Sequence, residues 1–235
     1  MSKRWADIYE RLRAACTEAG LDLSQPFGVQ RLADAPEDEH LHDFGRANAL
    51  GVLIGNTRAL WPRLTEAFAT DPALQRASHP LDTYVADRVA RAVADATKVA
   101  SQVVLSHLIE PRAYPIQRLA QRIGFAAISP CHLAVHPEHG MWLGLRAVVT
   151  FDCDGPDAPL APPPRPCDGC AAPCVPALKQ ALAVTPLPLS QLTIREHADA
   201  WIEVRRVCPV GEASRYGEAQ LRYHYIHDRT LLRSE

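Results

Sequence analysis

Between Asp152 and Pro176 the chain changes character, with four cysteines and many prolines but almost no bulky apolar side chains. Proline lacks an amide hydrogen and fixes φ, so such a run supports neither a helix interior nor a central strand. The stretch reads as an irregular insert, and the core must be assembled from the flanks. Hydrophobic residues make up 47% of the 235 residues, enough for a sizeable core. Length alone fits one large domain or two small ones. The expectation is one domain, 1–235, with 152–176 as its insert.

Periodicity organises the flanks. Residues 4–19 read as a helix, with Trp5, Ile8, Leu12 and Ala15 at helical spacing and Gly20 as a C-terminal stop. Residues 36–46 (PEDEHLHDFGR) read as an exposed loop. Leu50–Ile54 is a short apolar run that suits a buried strand, and Pro62 opens a following helix. The clearest helix is 80–98, where Leu81, Val85, Val89, Ala92, Val93 and Ala96 share one face. Gln102–Leu108 reads as a strand and Pro115–Ile123 as a short helix. His132–His136 and Met141–Phe151 read as paired strands around a Pro137–Gly140 turn. Residues 189–206 and 215–226 return to helical patterning.

A formal net charge of −2 argues against a duplex nucleic-acid binder, which needs a basic face. The first residues lead into a charged amphipathic helix rather than a signal-peptide core, and no apolar run reaches bilayer length. A cytoplasmic protein without a membrane partner is expected. Its seven cysteines are then expected to serve metal or redox chemistry more than structural disulfides.

The sharpest local motif is Cys167-Asp-Gly-Cys170-Ala-Ala-Pro-Cys174. Three thiolates so spaced can converge on a soft metal, zinc or an iron–sulfur cluster, with Cys208 or Cys153 as the fourth ligand. The alternative is a loop whose thiols bind nothing or close a reversible disulfide. His132, His136 and His139 flank a turn and read as turn histidines. His40 and His42 each match only part of the Asp-x-His-x-x-Gly motif that gives cobalt a lower axial ligand. They, with Glu37 and Glu39, read as solvated loop residues. Arg146 differs, because it stands inside an apolar strand where a charge needs a partner. Either it points to water or it contacts a buried anion. No glycine-rich phosphate loop and no nucleophile elbow is present, and no catalytic side chain is assigned.

AVHPEHGMWLGLRAVVTF (134–151) resembles the CblC (MMACHC) family, in which an apolar strand passes through His-Pro and a Gly-Trp pair into an arginine-containing strand. SHPLDTYVADRV, PIQRLAQRIGFAA and RYGEAQLRYHY resemble three further family segments in the same order, across most of the chain. The resemblance implies a nitroreductase-like α+β fold, with a largely antiparallel sheet flanked by helices. It also implies a cobalamin-binding protein that removes the upper axial ligand. Cyanide would leave reductively with a reduced flavin, FMN or FAD. Alkyl groups would leave by attack of glutathione or another thiol.

By the same resemblance Arg118, Leu119, Ala120 and Gln121 match a cobalamin-contacting stretch. Ser129, Pro130 and Cys131 follow it, and Ala134 and Leu145 match corrin-side strand positions. Arg146 matches a glutathione-contacting arginine, Arg205 or Arg206 a second, and Arg229 a weaker third. Homodimerisation is left open. The cysteine-rich insert is instead reminiscent of epoxyqueuosine reductase, without that enzyme's double cysteine set. The competing expectations are a cobalamin chaperone without chemistry and a corrin-free metal protein built on the cysteines.

Overall fold

A computed structural model describes residues 4–108, 113–157 and 164–233. Helix α1 (Arg4–Glu18) is followed by strand β1 (Leu23–Gly28) and strand β2 (Ala49–Asn56). Helices α2 (Leu60–Thr70), α3 (Pro72–Arg76) and α4 (Pro80–Ala96) lead to β3 (Ser101–Leu105). Then come α5 (Ile116–Arg122), the short strands β4 (Ala127–Ile128) and β5 (Ala134–Val135), and the long β6 (Gly144–Asp154). Helices α6 (Cys174–Val184), α7 (Gln191–Glu196), α8 (Ala198–Arg206) and α9 (Glu218–Ile226) complete the chain. The result is the expected α+β architecture, an antiparallel four-stranded sheet in the order β1-β2-β6-β3 flanked by helices.

The period of two in a strand decides how the sheet is covered. Leu50, Val52 and Ile54 of β2 join Ala147, Val149 and Phe151 of β6 against α1, α2 and α4. Ala49 and Leu53 of β2, with Val148 of β6, face the other way, onto Phe27 of β1 and Leu119, Ala120 and Ile123 in and after α5. With both faces covered, β2 is buried along its whole length, as its unbroken apolar run requires. Leu12 of α1 and Leu64 of α2 are almost wholly enclosed, and truncating either to alanine should cost about 2–5 kcal/mol.

Several helix ends follow their sequence signals. Gly20 adopts φ +79° and closes α1, with the Leu21 amide bonding to the Cys16 carbonyl at 2.8 Å. Pro80 opens α4. Ser190 and Thr193 form a reciprocal capping box on α7.

Other expectations change. β5 does not pair with β6; it turns back onto β4, and only a single bridge, His136 to Gly140, spans the turn. β6 is claimed by β2 and β3 instead, because its two apolar faces complete both halves of the core. The helical patterning over 189–206 is realised as two helices, α7 and α8, divided at His197. Helix α6 begins inside the supposed irregular insert, at Cys174; the centre of that insert, 158–163, lies outside the described residues. The acidic loop is not wholly solvated either. Glu39 is buried and accepts from Arg122 Nε at 2.5 Å and Arg118 Nη1 at 3.4 Å, anchoring the loop to α5. His40 and His42 remain exposed, as expected. Among the described residues no helix is long and apolar enough to cross a membrane.

Candidate functional site

The β-bulge between Ile54 and Gly55 shifts the end of β2 against β6. There the Arg146 Nε donates to the Oδ1 of the buried Asn56 at 2.6 Å. The guanidinium lies across Gly144, where an added Cβ would come within 2.7 Å of Arg146 Nη2 and of Asn56 Oδ1. Glycine is therefore required for the arginine to lie flat. Burial is the main influence on Arg146 and pulls its pKa down from the usual value. Arg146 is only part-buried, and its Nε turns toward the buried Asn56 rather than standing free in water.

Arg205, from α8, enters the same interior. Its Nη1 donates to the Met141 carbonyl at 3.1 Å, and its guanidinium lies 5.9 Å from the Tyr225 ring centre. Burial pushes its pKa down, but Tyr225 and Tyr216 outweigh that and the net direction is up. Tyr216 is raised, first by burial, and stacks edge-on to Trp142 at 5.8 Å. His224 lies 5.3 Å from the Tyr216 ring. Burial, then the two guanidinium charges, hold its pKa well below the usual histidine value, so the ring is neutral.

Several polar atoms of this chamber lack a well-aligned partner. Arg205 Nε, Tyr216 Oη, His224 Nε2 and Trp142 Nε1 are buried without a well-aligned hydrogen-bond partner, although Tyr216 and Arg205 are close enough to influence each other. Each such group costs about 1–3 kcal/mol while unpaired. Among the described residues no carboxylate forms an ion pair with Arg146 or Arg205. Asp82 acts on Arg146 only at longer range. Asp82 also lines an open cavity of about 980 Å³, with His79, Ser106, His107 and His227. The Ser106 amide bonds to the Arg146 carbonyl at 2.9 Å, so cavity and chamber adjoin.

The two neighbouring arginines point in different directions, and Arg205 is the one that enters the chamber. Arg206 points outward and pairs with Glu218 at 2.6 Å. Arg229 is exposed and lies over Phe68, away from the chamber.

The residues expected to meet a corrin are only partly gathered. Leu119, Ala120, Ala134 and Leu145 share one apolar cluster under the sheet. Leu119 and Ala120 are fully enclosed, whereas Gln121 and Pro130 are exposed and the side chain of Arg118 is more than half exposed. Arg118 reaches toward Asp38 and Glu39. Ser129 Oγ meets Cys131 Sγ at 3.2 Å and accepts from the Leu133 amide at the same distance. Cys131 itself leaves that group and packs with Cys174 and Cys208.

All seven cysteines are free thiols. Cys153 packs in the first core beside α1, in a different cluster from the other candidate ligands. Cys167 lies at the edge of the Cys131, Cys174 and Cys208 cluster. Among the described residues no three His, Cys, Asp or Glu side chains stand ready in metal-holding geometry.

The turn histidines are drawn in further than expected. His136 stacks on His139 at 4.8 Å and meets Phe125 at a tilt, 5.0 Å between ring centres. Its Nδ1 accepts from the amides of Glu138 and His139, and burial, then His139, push its pKa down to about 4.

Sequence reasoning placed Trp142, Tyr216, His224 and Tyr225 inside family-like segments but gave them no role, because aromatic residues in amphipathic segments carry no local mark of a polar chamber. It missed the buried carboxylate of Glu39 because a charge run ordinarily faces water. The available signal was the Arg118–Arg122 pair, spaced one turn apart on α5.

No protein-family model and no curated protein matches the chain. Its fold is similar to a solved structure described as a Caenorhabditis elegans B12-trafficking protein CblC, a human MMACHC homologue. The TM-score is 0.69 at 15% sequence identity, over 99% of this chain and 97% of that one.

Proposed function

We propose that this chain binds cobalamin as one unit and removes its upper axial ligand with the help of an anionic thiol such as glutathione. The observation that carries the reading is the chamber of Arg146 and Arg205, two inward-turned guanidinium groups that pair with no carboxylate among the described residues. A small peptide thiol bearing carboxylates supplies the missing acceptors, and arginine forks suit carboxylates. The near-full-length likeness of fold to a B12-trafficking protein supports cobalamin as the other substrate.

In this reading Arg146 and Arg205 hold the carboxylates of the thiol and orient its sulfur. Tyr216 and the neutral His224 fill the wall behind them and accept or donate the remaining hydrogen bonds. For an alkylcobalamin, the thiolate attacks the alkyl carbon; a carbon–sulfur bond forms, the cobalt–carbon bond breaks, and cobalt keeps the electron pair. Holding thiol and substrate together converts a bimolecular encounter into a positioned one. Decyanation needs electrons, which a reduced flavin would supply. Cobalamin is expected to bind with its lower base off cobalt, which makes the metal easier to reduce.

The test is turnover of methylcobalamin with glutathione, and of cyanocobalamin with reduced flavin, followed in the visible spectrum. Thiol-dependent loss of the methyl group is expected. A corrin spectrum that shifts on binding but never turns over would leave a chaperone that holds cobalamin without chemistry.

A further inference from the structure

Five of the seven cysteines come from three separate parts of the chain to one place. Cys131 lies between the short strands β4 and β5, Cys167, Cys170 and Cys174 lie before and at the start of α6, and Cys208 follows α8. Cys131, Cys174 and Cys208 are buried in one apolar cluster, and Cys167 packs against it. The contacts run across all three segments. The Cys174 and Cys131 thiols lie within hydrogen-bonding reach, and Cys167, Cys170 and Cys208 are near enough for their charges to act on the others. Cys131 is therefore common to the group, although no sequence spacing connects it to the Cys167–Cys174 motif.

The surroundings suit sulfur ligands. The Ala172 amide donates to Cys170 Sγ at 3.4 Å, across a loop turned by Gly169 at φ +73° and Ala172 at φ +51°. Ser129 Oγ lies 3.2 Å from Cys131 Sγ, a polar neighbour that could steady a ligating thiolate. Cys16 and Cys153 show the contrast: each is a single thiol in the first core.

We propose that Cys131, Cys167, Cys174 and Cys208, with Cys170 at the rim, bind one thiolate-seeking metal centre, a zinc ion or an iron–sulfur cluster. Without metal the thiols are neighbours that stand outside ligand geometry, so binding must pull them together. Each ligating thiol gives its proton to solvent as its metal–sulfur bond forms. Thiolates favour such soft acceptors over hard cations. The centre would tie the β4–β5 hairpin to α6 and to the end of α8. It would also fix the backbone near Arg205, since Arg205 Nη1 and Cys208 both contact the Met141 backbone.

The full chain is purified anaerobically without any corrinoid, and zinc and iron are measured by elemental analysis. Chelator-stripped protein is then titrated with Zn²⁺ alone and, separately, with Fe²⁺ plus sulfide. About one equivalent of zinc, or iron with broad visible absorption, is expected. Cys131→Ser and Cys208→Ser should each weaken binding more than about tenfold, and Cys153→Ala should leave it unchanged. Alkylation of the unaltered chain, mapped by mass spectrometry, keeps the test independent of variant folding: the metal should protect Cys131. Metal below about a tenth of an equivalent after both titrations, or Cys131 alkylated at the same rate with and without metal, would overturn the proposal. Because no cobalamin is present, either outcome leaves the proposed handling of cobalamin to its own test.

Discussion

Arg205 and Cys208 stand three residues apart at the end of α8, yet they look into places of opposite character. The arginine chamber collects buried polar atoms without well-aligned partners. The thiol cluster collects neutral groups that an apolar setting tolerates at little cost. Burial raises the thiols of Cys167 and Cys208, and raises that of Cys174 to about 11, so they stay protonated at neutral pH. On the proposals above, an anion would complete the chamber, whereas the thiol cluster would change only on giving its protons up to a metal. Separate kinds of ligand should act on the two places, although they share one stretch of backbone.

The largest effect expected from breaking this contrast is at Arg146. Arg146→Ala removes a charge-assisted contact worth about 1.5–3 kcal/mol. It should raise the thiol concentration needed for dealkylation by roughly 10- to 150-fold. Metal content should not change. Arg146→Lys keeps the charge without the fork and should fall between. Kinetics at varied glutathione, with melting temperatures as a folding control, read this out; equal loss of thiol use and corrin binding would make the residue structural.

Arg205→Ala should act in the same direction by about tenfold or more. It should also lower metal affinity slightly if the Met141 backbone couples the two places. Titration of Arg205→Ala with Zn²⁺ sharpens the comparison, because full independence would leave that affinity unaltered.

A smaller effect is expected from His136, at the turn beside the hairpin. Its folded pKa of about 4 lies below the unfolded value of 6.5. The unfolded chain therefore binds the extra proton first. Stability from this group is complete above about pH 6.5, declines as pH falls toward about 4, and then levels off. Partial exposure of the ring reduces the effect to about 1–2 kcal/mol. His136→Asn retains an acceptor for the Glu138 and His139 amides and should flatten this acid limb in denaturation measured from pH 7 to 4.

The smallest effect is expected at Arg206, whose partner Glu218 is well exposed. Arg206→Ala should change stability by less than about 1 kcal/mol and thiol use by less than about twofold. A loss matching that of Arg205→Ala would show that the chamber has been assigned to the wrong arginine.

Much of this arrangement is legible in the sequence where local physics is decisive. α1 and α4 follow from their apolar stripes, and β2 from a run too apolar to face water. Arg146 announces itself as a charge in an apolar strand. β1 escapes notice because Pro26 and Gly28 weaken its strand pattern; it is tolerated as an edge strand, where a missing amide costs least. α6 is hidden because its first residues belong to the cysteine and proline pattern. The choice between Arg205 and Arg206 depends on which side of α8 meets Trp142 and Tyr216, and the place of Cys131 depends on how the hairpin docks against α6. Both are long-range facts, set by packing between segments that carry no shared local signal.

The central claim is that the chain takes cobalamin and frees its cobalt for chemistry. Its most direct measurement is the visible spectrum of cob(II)alamin or methylcobalamin mixed with increasing protein. The expected result is a saturable shift to the base-off form, with the lower base displaced from cobalt. A base-on spectrum that stays unchanged at saturating protein would contradict the account.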